Sequence, residues 1–201
     1  MTLALFDLDN TLLDGDSDYL WGCFLVEHGL VDREFYESEN QRFYDQYVEG
    51  SLDIREFLHF QLRPLATYRR TQLEDWREQY LATKIEPIVL PKARDLLERH
   101  RARGDELIII TATNRFITEP IARRLGVVHL IATEAELSAG EYTGNVAGTP
   151  CFQAGKVTRL HAWLGIGGGG SNAFDRMIGA LAQDEAGATA GRPPGHRTQA
   201  A

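Results

Sequence analysis

Short apolar runs alternate along the chain with segments in which apolar residues recur at helical spacing. Residues 3–6 and 107–110 are continuous apolar runs followed by polar residues, as expected for buried parallel strands. Residues 127–132 indicate a third strand, and the turn-rich stretch 136–147 favours a β-hairpin. Because strands alternate with helices, the pattern predicts an α/β fold with a doubly wound parallel sheet.

The segment between the first two strands, residues 16–84, is helical in character. Its large apolar side chains repeat every three or four positions, as in amphipathic helices, for example Leu20, Trp21, Phe24 and Leu25, then Leu73, Trp76 and Tyr80. We predict four or five helices here, forming a small domain inserted into the α/β core. That core then comprises residues 1–15 and 85–164.

Two prolines and one threonine set boundaries in this prediction. Pro64 is expected to end the third inserted helix, because proline interrupts helical hydrogen bonding. Pro120 is expected in the first turn of the helix after the second strand, where proline is tolerated. Thr111 is expected to follow that strand directly.

Residues 165–201 depart from the rest of the chain. Residues 167–170 are four consecutive glycines, which indicate a flexible linker. Apolar residues then recur at 174, 177, 178 and 181, the spacing of one short amphipathic helix. From Ala186 onward large apolar residues are nearly absent, and this composition predicts disorder.

Composition narrows the possible partners. The 201 residues carry a formal net charge of −8, which disfavours a nucleic-acid or anionic-membrane partner, since both attract basic surfaces. No apolar stretch approaches the roughly 18 residues of a membrane-spanning helix. The two cysteines have no metal-ligand spacing, so we expect a reducing, cytoplasmic location. Oligomeric state is not predicted.

Polar side chains follow the predicted strands at positions suited to chemistry. Asp7 and Asp9 come directly after the first strand, Thr111 follows the second, and Lys156 opens a later helix. Ligands bind beyond the carboxyl ends of strands in open α/β sheets, so these side chains are expected to converge on one crevice.

Three segments resemble the motifs of the haloacid dehalogenase superfamily. Residues 7–12, Asp-Leu-Asp-Asn-Thr-Leu, resemble its first motif, Asp-x-Asp-x-Thr. Residues 108–114 resemble the second motif, an apolar strand ending in Ser or Thr, and Gly155-Lys156 resembles the lysine motif. The helical insertion occupies the position of the type-1 cap. The resemblance covers residues 1–164 and is closest to the phosphoserine-phosphatase-like branch, subfamily IB.

This resemblance implies a role for each motif residue. Asp7 would attack phosphorus and form an aspartyl-phosphate. Asp9 would protonate the leaving oxygen and later deprotonate water. The Thr111 hydroxyl would hydrogen-bond the phosphoryl group, and Lys156 would neutralise charge. The implied cofactor is Mg²⁺, bound by the Asp7 carboxylate and the Asp9 main-chain carbonyl.

Substrate contacts are expected near these residues and in the cap. The candidates are Thr11, Ala112, Thr113, Asn114, Asp18 and Arg63. Thr11 could instead stabilise its loop, and Asp14, Asp16, Ser17 and Asp18 could equally form a hinge or helix cap. Either Arg55 or Arg63 could meet a substrate carboxylate or phosphate, the alternative being an ordinary surface arginine.

The fourth motif of the superfamily, a buried strand followed by an acidic pair that binds Mg²⁺, has no counterpart after Lys156. Asp184 is the remaining candidate ligand, although no apolar strand precedes it. We therefore expect the ancestral C-terminal strand to be missing or replaced. The first hypothesis is a Mg²⁺-dependent hydrolase of small phosphorylated metabolites. The alternatives are an impaired pseudo-enzyme that binds a phosphorylated ligand or partner, and phosphotransfer to an alcohol.

Overall fold

The computed structural model describes residues 2–165, in which four strands form one sheet. The strands are β1 (Leu3–Phe6), β2 (Glu106–Asn114), β3 (His129–Ser138) and β4 (Glu141–Ala147). The helices are α1 (Ser17–Glu27), α2 (Arg33–Glu49), α3 (Ile54–Thr67), α4 (Arg70–Tyr80), α5 (Pro91–Ala102), α6 (Arg115–Arg124) and α7 (Ala154–Trp163). A π-helical turn (Leu81–Ile85) and a 3₁₀ turn (Glu86–Ile88) join α4 to α5.

The sheet has the order β1-β2-β3-β4 and is mainly parallel. β1 pairs in parallel with β2, which pairs in parallel with β3, while β4 returns antiparallel to β3. Ala139 and Gly140 join β3 to β4 with φ of 50° and 86°. Positive φ at both turn positions matches the twist of a tight hairpin. The predictions of an α/β parallel sheet and of this hairpin are therefore confirmed.

Buried side chains cover both faces of the sheet. Ile108 and Ile110 face one side with Leu160 of α7, whereas Leu107 and Ile109 face the larger core formed with the other helices. This alternation follows from the period of two in a strand, and an apolar run is needed because both faces are buried. The sheet therefore holds α7 on the face opposite most of the helices.

The structure moves three predicted boundaries. β2 continues through Asn114, so Thr111 lies inside the strand, where the pairing with β3 shifts register. Pro64 does not end α3, which runs to Thr67, and Pro120 lies in the second turn of α6 rather than the first.

A residue of the inserted helices replaces the hydrogen bond that Pro120 cannot make in α6. Pro120 has no N–H to donate to the Phe116 carbonyl, one turn earlier in the helix. The Arg77 guanidinium of α4 donates to that carbonyl instead, at 2.9 Å, and lies 4.5 Å from the centre of the Phe116 ring. The contact therefore ties the inserted helices to the core.

The two chain segments that lead into and out of the inserted helices are paired with each other. Leu13 and Val89 form an antiparallel bridge, and the Asp14 N–H donates to the Ile88 carbonyl at 2.8 Å. These bonds fix the junction between cap and core with main-chain atoms, which do not depend on side-chain identity.

The described residues contain no helix that is long and apolar enough to cross a membrane. The glycine linker, short helix and disordered tail predicted after residue 165 lie outside the described residues, as does Asp184.

Close approach of α2 to α1 predicts that Gly22→Ala destabilises the protein. A Cβ at Gly22 would lie 1.8 Å from the Tyr36 hydroxyl oxygen, so the buried Tyr36 ring or one of the two helices has to shift. Alanine favours helix by about 1 kcal/mol over glycine. We nevertheless expect the free energy of unfolding to fall by about 1–3 kcal/mol, the usual cost of overpacking.

Urea denaturation measures this change. Ser38→Ala, on the exposed side of α2, is the control and should change stability by less than about 0.5 kcal/mol. A stabilised Gly22→Ala protein would contradict the packing described here.

Candidate active site

The loop after β1 turns sharply and carries two carboxylates. Leu8 is fully buried, and its carbonyl accepts hydrogen bonds from the N–H groups of Leu12 and Leu13, at 2.9 and 3.1 Å. This buried anchor fixes the loop that carries Asp7 and Asp9.

Asp7 is paired with a lysine from the far end of the described chain. The Lys156 ammonium lies 3.3 Å from Oδ1 of Asp7, and its side chain is only 4% exposed. Lys156 lies near the start of α7, where Gly155 permits close packing, since a Cβ there would be 2.0 Å from the Pro150 carbonyl oxygen. A buried ammonium needs a charged partner, so Asp7 and Lys156 hold each other in place.

Asp9 accepts hydrogen bonds from both the core and the cap. The Ser17 N–H donates to Oδ1 at 2.7 Å. The Thr113 and Thr111 hydroxyls donate to Oδ2 at 2.9 and 3.4 Å. Burial raises the pKa of Asp9 above its ordinary value, and the charge of Asp7 adds to this, although the donors oppose it. Asp9 is thereby suited to hold a proton that an exposed carboxyl would lose.

Asp16 and Asp18 add further negative charge at the start of α1. Asp16 is the N-cap of this helix, and its carboxylate accepts from the Tyr19 N–H at 2.9 Å. Burial, followed by repulsion from Asp9, raises the pKa of Asp16 to about 6. Burial and repulsion from Asp16 raise the pKa of Asp18 well above its usual range, although the Asn114 amide donates to it at 3.3 Å.

A cavity of about 800 Å³ opens between these carboxylates and the inserted helices. Residues 7, 9, 111, 112 and 113 form its core side. Its other walls come from α1, α2 and α3, including Asp18, Tyr36 and Gln61. The cavity is therefore a partly open cleft whose lining includes the predicted nucleophile Asp7.

The structure brings together most of the predicted site residues. Asp7, Asp9, Thr111, Ala112, Thr113 and Asp18 all line the cavity, and Lys156 reaches Asp7. Asn114 lies behind the wall, where its side chain caps α6 and binds Asp18.

Three predicted residues lie elsewhere. Thr11, Arg55 and Arg63 are exposed and do not line the cavity, and the Arg63 guanidinium lies 5.6 Å from the centre of the Phe35 ring. The structure therefore favours the interpretation of both arginines as surface residues.

Two oxygen atoms of the site are suitable ligands for Mg²⁺. No three His, Cys, Asp or Glu side chains within residues 2–165 are grouped as a metal cluster. Mg²⁺ commonly takes one or two carboxylates and fills its remaining positions with water and phosphate oxygens. The Asp7 carboxylate and the Asp9 main-chain carbonyl fit this chemistry as part of such a ligand set.

Sequence reasoning missed the cap residues that support the site. Tyr80 is fully buried, and its hydroxyl donates to the Ser17 carbonyl at 2.6 Å. The Tyr36 hydroxyl donates to Oε1 of Gln61 at 3.1 Å. Tyr80 was visible only as an apolar helical position, and Tyr36 and Gln61 carried no signal.

Fold and site together place two carboxylates and a buried lysine beside the carboxyl ends of the strands in an α/β protein. The sequence matches the haloacid dehalogenase-like hydrolase family over residues 4–174, and the chain belongs to this family. The family prediction is confirmed, and the relatives support a phosphatase.

Two relatives and two structures show the range of similarity. The chain is 44% identical to a histidinol-phosphatase of Neisseria meningitidis over 163 residues, covering 81% of this chain and 73% of the relative. It is 27% identical to a probable phosphatase of Mycobacterium tuberculosis over 79% of this chain, and spans 56% of that protein's length.

Solved structures are similar over about the same region. A Bordetella pertussis protein of unknown function is 42% identical, with a TM-score of 0.77 over 82% of this chain and 75% of that one. A phosphoserine phosphatase with a phospho-aspartyl intermediate analogue is 20% identical, with a TM-score of 0.56 over 83% and 73% of the two chains. The second similarity shows the fold alone.

The raised pKa of Asp16 predicts that Asp16→Asn stabilises the protein above pH 6. The folded state of the parent holds a proton between pH 3.8 and about 6 that the unfolded state has released, so parent stability falls as pH rises through this window. Asparagine is an equally good N-cap and carries no charge. The variant should gain on the order of 1–3 kcal/mol relative to the parent by pH 7.

Chemical denaturation at several pH values measures the difference between variant and parent. Asp32→Asn, the same change at the exposed N-cap of α2, serves as control. A stability difference for Asp16→Asn that does not change with pH would contradict the electrostatic assignment.

Proposed function

We propose that the chain is a Mg²⁺-dependent phosphomonoester hydrolase that works through an aspartyl-phosphate on Asp7. The observation that carries the proposal is the ion pair between buried Lys156 and Asp7, a residue that lines the same cavity as Asp9. A carboxylate is ionised at neutral pH and needs no base to become a nucleophile.

Repulsion between two anions is the main barrier for this attack. The Lys156 ammonium, 3.3 Å from Asp7, partly neutralises the nucleophile and lies where it can also attract the phosphoryl oxygens. Mg²⁺, when bound by the Asp7 carboxylate and the Asp9 carbonyl, supplies the remaining positive charge. The Thr111 hydroxyl accepts from the Thr113 N–H at 3.2 Å and makes only a long donor bond to Asp9, at 3.4 Å, so its proton is available to a phosphoryl oxygen.

Asp9 has the properties of the proton carrier. In the first step the Asp7 carboxylate oxygen bonds to phosphorus, the ester P–O bond breaks, and the Asp9 carboxyl protonates the leaving alkoxide. In the second step the ionised Asp9 carboxylate takes a proton from a water molecule while the oxygen of that water attacks phosphorus. The bond between phosphorus and Asp7 breaks, and inorganic phosphate is released. The raised pKa of Asp9 favours the protonated form that the first step needs.

A cleft of about 800 Å³ is of the size that holds a small substrate, and we infer that the natural substrate is a small phosphorylated molecule. Histidinol phosphate is the first natural compound to assay, because the Neisseria meningitidis relative carries a histidinol-phosphatase name.

Asp7→Asn is expected to abolish Mg²⁺-dependent hydrolysis of p-nitrophenyl phosphate, because an amide is a poor nucleophile. The loss should exceed about 1,000-fold in kcat. Asp14→Asn, at an exposed position of the same cavity, is the matched control and should retain turnover. If the pure, folded parent chain shows no Mg²⁺-dependent turnover, the pseudo-enzyme alternative is supported instead.

Asp9→Asn is expected to slow hydrolysis in a way that depends on the leaving group. Removing a general acid costs about 100- to 10,000-fold. The loss should be greater for an alkyl phosphate than for p-nitrophenyl phosphate, because nitrophenolate leaves without protonation. Steady-state kinetics with both substrates checks this. Equal losses for the two substrates would mean that Asp9 has another role.

A further inference from the structure

The cavity above Asp7 is lined by many acids and few bases. Beyond Asp7 and Asp9, its acidic lining residues are Asp14, Asp16, Asp18, Glu27 and Glu37. Arg33 is the single arginine or lysine lining the cavity among residues 2–165. It already pairs with Glu37 at 3.1 Å, and both side chains are more than 60% exposed. A substrate group beyond the phosphate therefore meets mainly negative charge.

Asp18 is the most deeply placed of these acids. It is 9% exposed, and its carboxylate accepts a hydrogen bond from the neutral Asn114 amide, at 3.3 Å. No lysine, arginine or histidine within residues 2–165 forms an ion pair with it. Because a buried carboxylate without a cation is costly, Asp18 is a strong binding position for a positive group on a ligand.

A second buried polar side chain of the cavity has an unused donor. Gln61 is 7% exposed, and its Oε1 accepts from the Tyr36 hydroxyl. Its Nε2 group has no hydrogen-bond partner within residues 2–165. The rings of Tyr36, Tyr44 and Phe57 line the same space, and aromatic faces attract cations. The cavity thus offers a carboxylate, an amide and aromatic rings to one ligand.

We propose that Asp18 selects phosphomonoesters whose alcohol part carries a protonated nitrogen and no carboxylate. The inference rests on the proposed function and adds a substrate class to it. Phosphorylated amino alcohols fit, because Asp18 can pair with their ammonium or imidazolium group. Phosphorylated acids such as phosphoserine do not fit, because their carboxylate would lie among carboxylates with no free cation to pair with.

Absence of a cation also explains the raised pKa of Asp18. Burial and the neighbouring acids disfavour its ionised form in the free protein. A substrate cation reverses this balance, so binding and ionisation of Asp18 support each other. If Asp18 acted only as a neutral hydrogen-bond donor, a substrate with a hydroxyl in place of the ammonium would do equally well.

Three small phosphomonoesters separate the effect of the ammonium group from the effect of the carboxylate. Phosphoethanolamine has the ammonium group, ethylene glycol phosphate has a hydroxyl in its place, and phosphoserine is phosphoethanolamine with an added carboxylate. We expect kcat/KM for phosphoethanolamine to exceed that of each of the others by at least about tenfold, as expected for one charge contact. Equal values for phosphoserine and phosphoethanolamine would overturn the proposal, as would equal values for phosphoethanolamine and ethylene glycol phosphate.

Asp18→Asn assigns the selectivity to this residue. Asparagine keeps an oxygen for the Asn114 amide but removes the charge. We expect the preference for phosphoethanolamine over ethylene glycol phosphate to fall by about tenfold, mainly through KM, because a contact beyond the reacting atoms stabilises substrate and transition state alike. Asp75→Asn removes the same charge from an exposed position of α4 outside the cavity and should leave the ratio nearly unchanged.

Outcomes for the two proposals are distinguishable. Hydrolysis of p-nitrophenyl phosphate by the parent chain reports the phosphatase function, whereas the substrate ratios report only selectivity. If the parent chain hydrolyses p-nitrophenyl phosphate but shows no preference among the three substrates, the inference about Asp18 is wrong and the proposed phosphatase function stands. If Asp18→Asn does not fold, the parent's substrate series still decides.

Discussion

Mutual repulsion among neighbouring, largely shielded carboxylates is the constraint on which the rest of this site depends. Asp7, Asp9, Asp16 and Asp18 lie within twelve positions of each other in the sequence, and burial raises the pKa of the last three. Each therefore needs donors, and the chain supplies them from distant segments. Lys156 pairs with Asp7, Thr113 binds Asp9, and the folding of β2 and α7 thus completes the site that β1 begins.

Attachment of the inserted helices to the core follows from the same need. The Ser17 N–H at the start of α1 donates to Asp9 at 2.7 Å, and the Asn114 amide at the end of β2 donates to Asp18. Tyr80 holds Ser17 from α4, while Arg77 satisfies the carbonyl freed by Pro120. Cap and core therefore meet through polar contacts at the carboxylates, in addition to the shared apolar core.

The parallel strands and the motif residues could be predicted from the sequence, because each leaves a local pattern in it. Continuous apolar runs located the parallel strands, because strands buried on both faces must be apolar throughout. The motif residues Asp7, Asp9, Thr111 and Lys156 were predicted as a group and lie together, since the carboxyl ends of parallel strands share one edge.

The remaining features depend on tertiary contacts that local pattern does not contain. The carbonyl that Pro120 leaves free within its helix is satisfied by Arg77, which is remote in sequence. The arginines considered for substrate binding differ from buried polar residues only in which helix face packs inward, and charge alone pointed to them. Gln61 belongs to the cavity wall because α3 turns it there, and no spacing in the sequence indicates this.

A site assembled from mutually repelling acids is less stable than one without them, and this cost is informative. Because burial and neighbouring acids raise the pKa of Asp16 and of Asp18, ionisation of either side chain costs the folded protein stability. The ion pair with Lys156 lowers this cost at Asp7, whereas Asp18 has no cationic partner within residues 2–165. A positively charged group on a ligand would lower the cost of ionising Asp18. The stability of the site is therefore linked to the charge of the molecule that it binds.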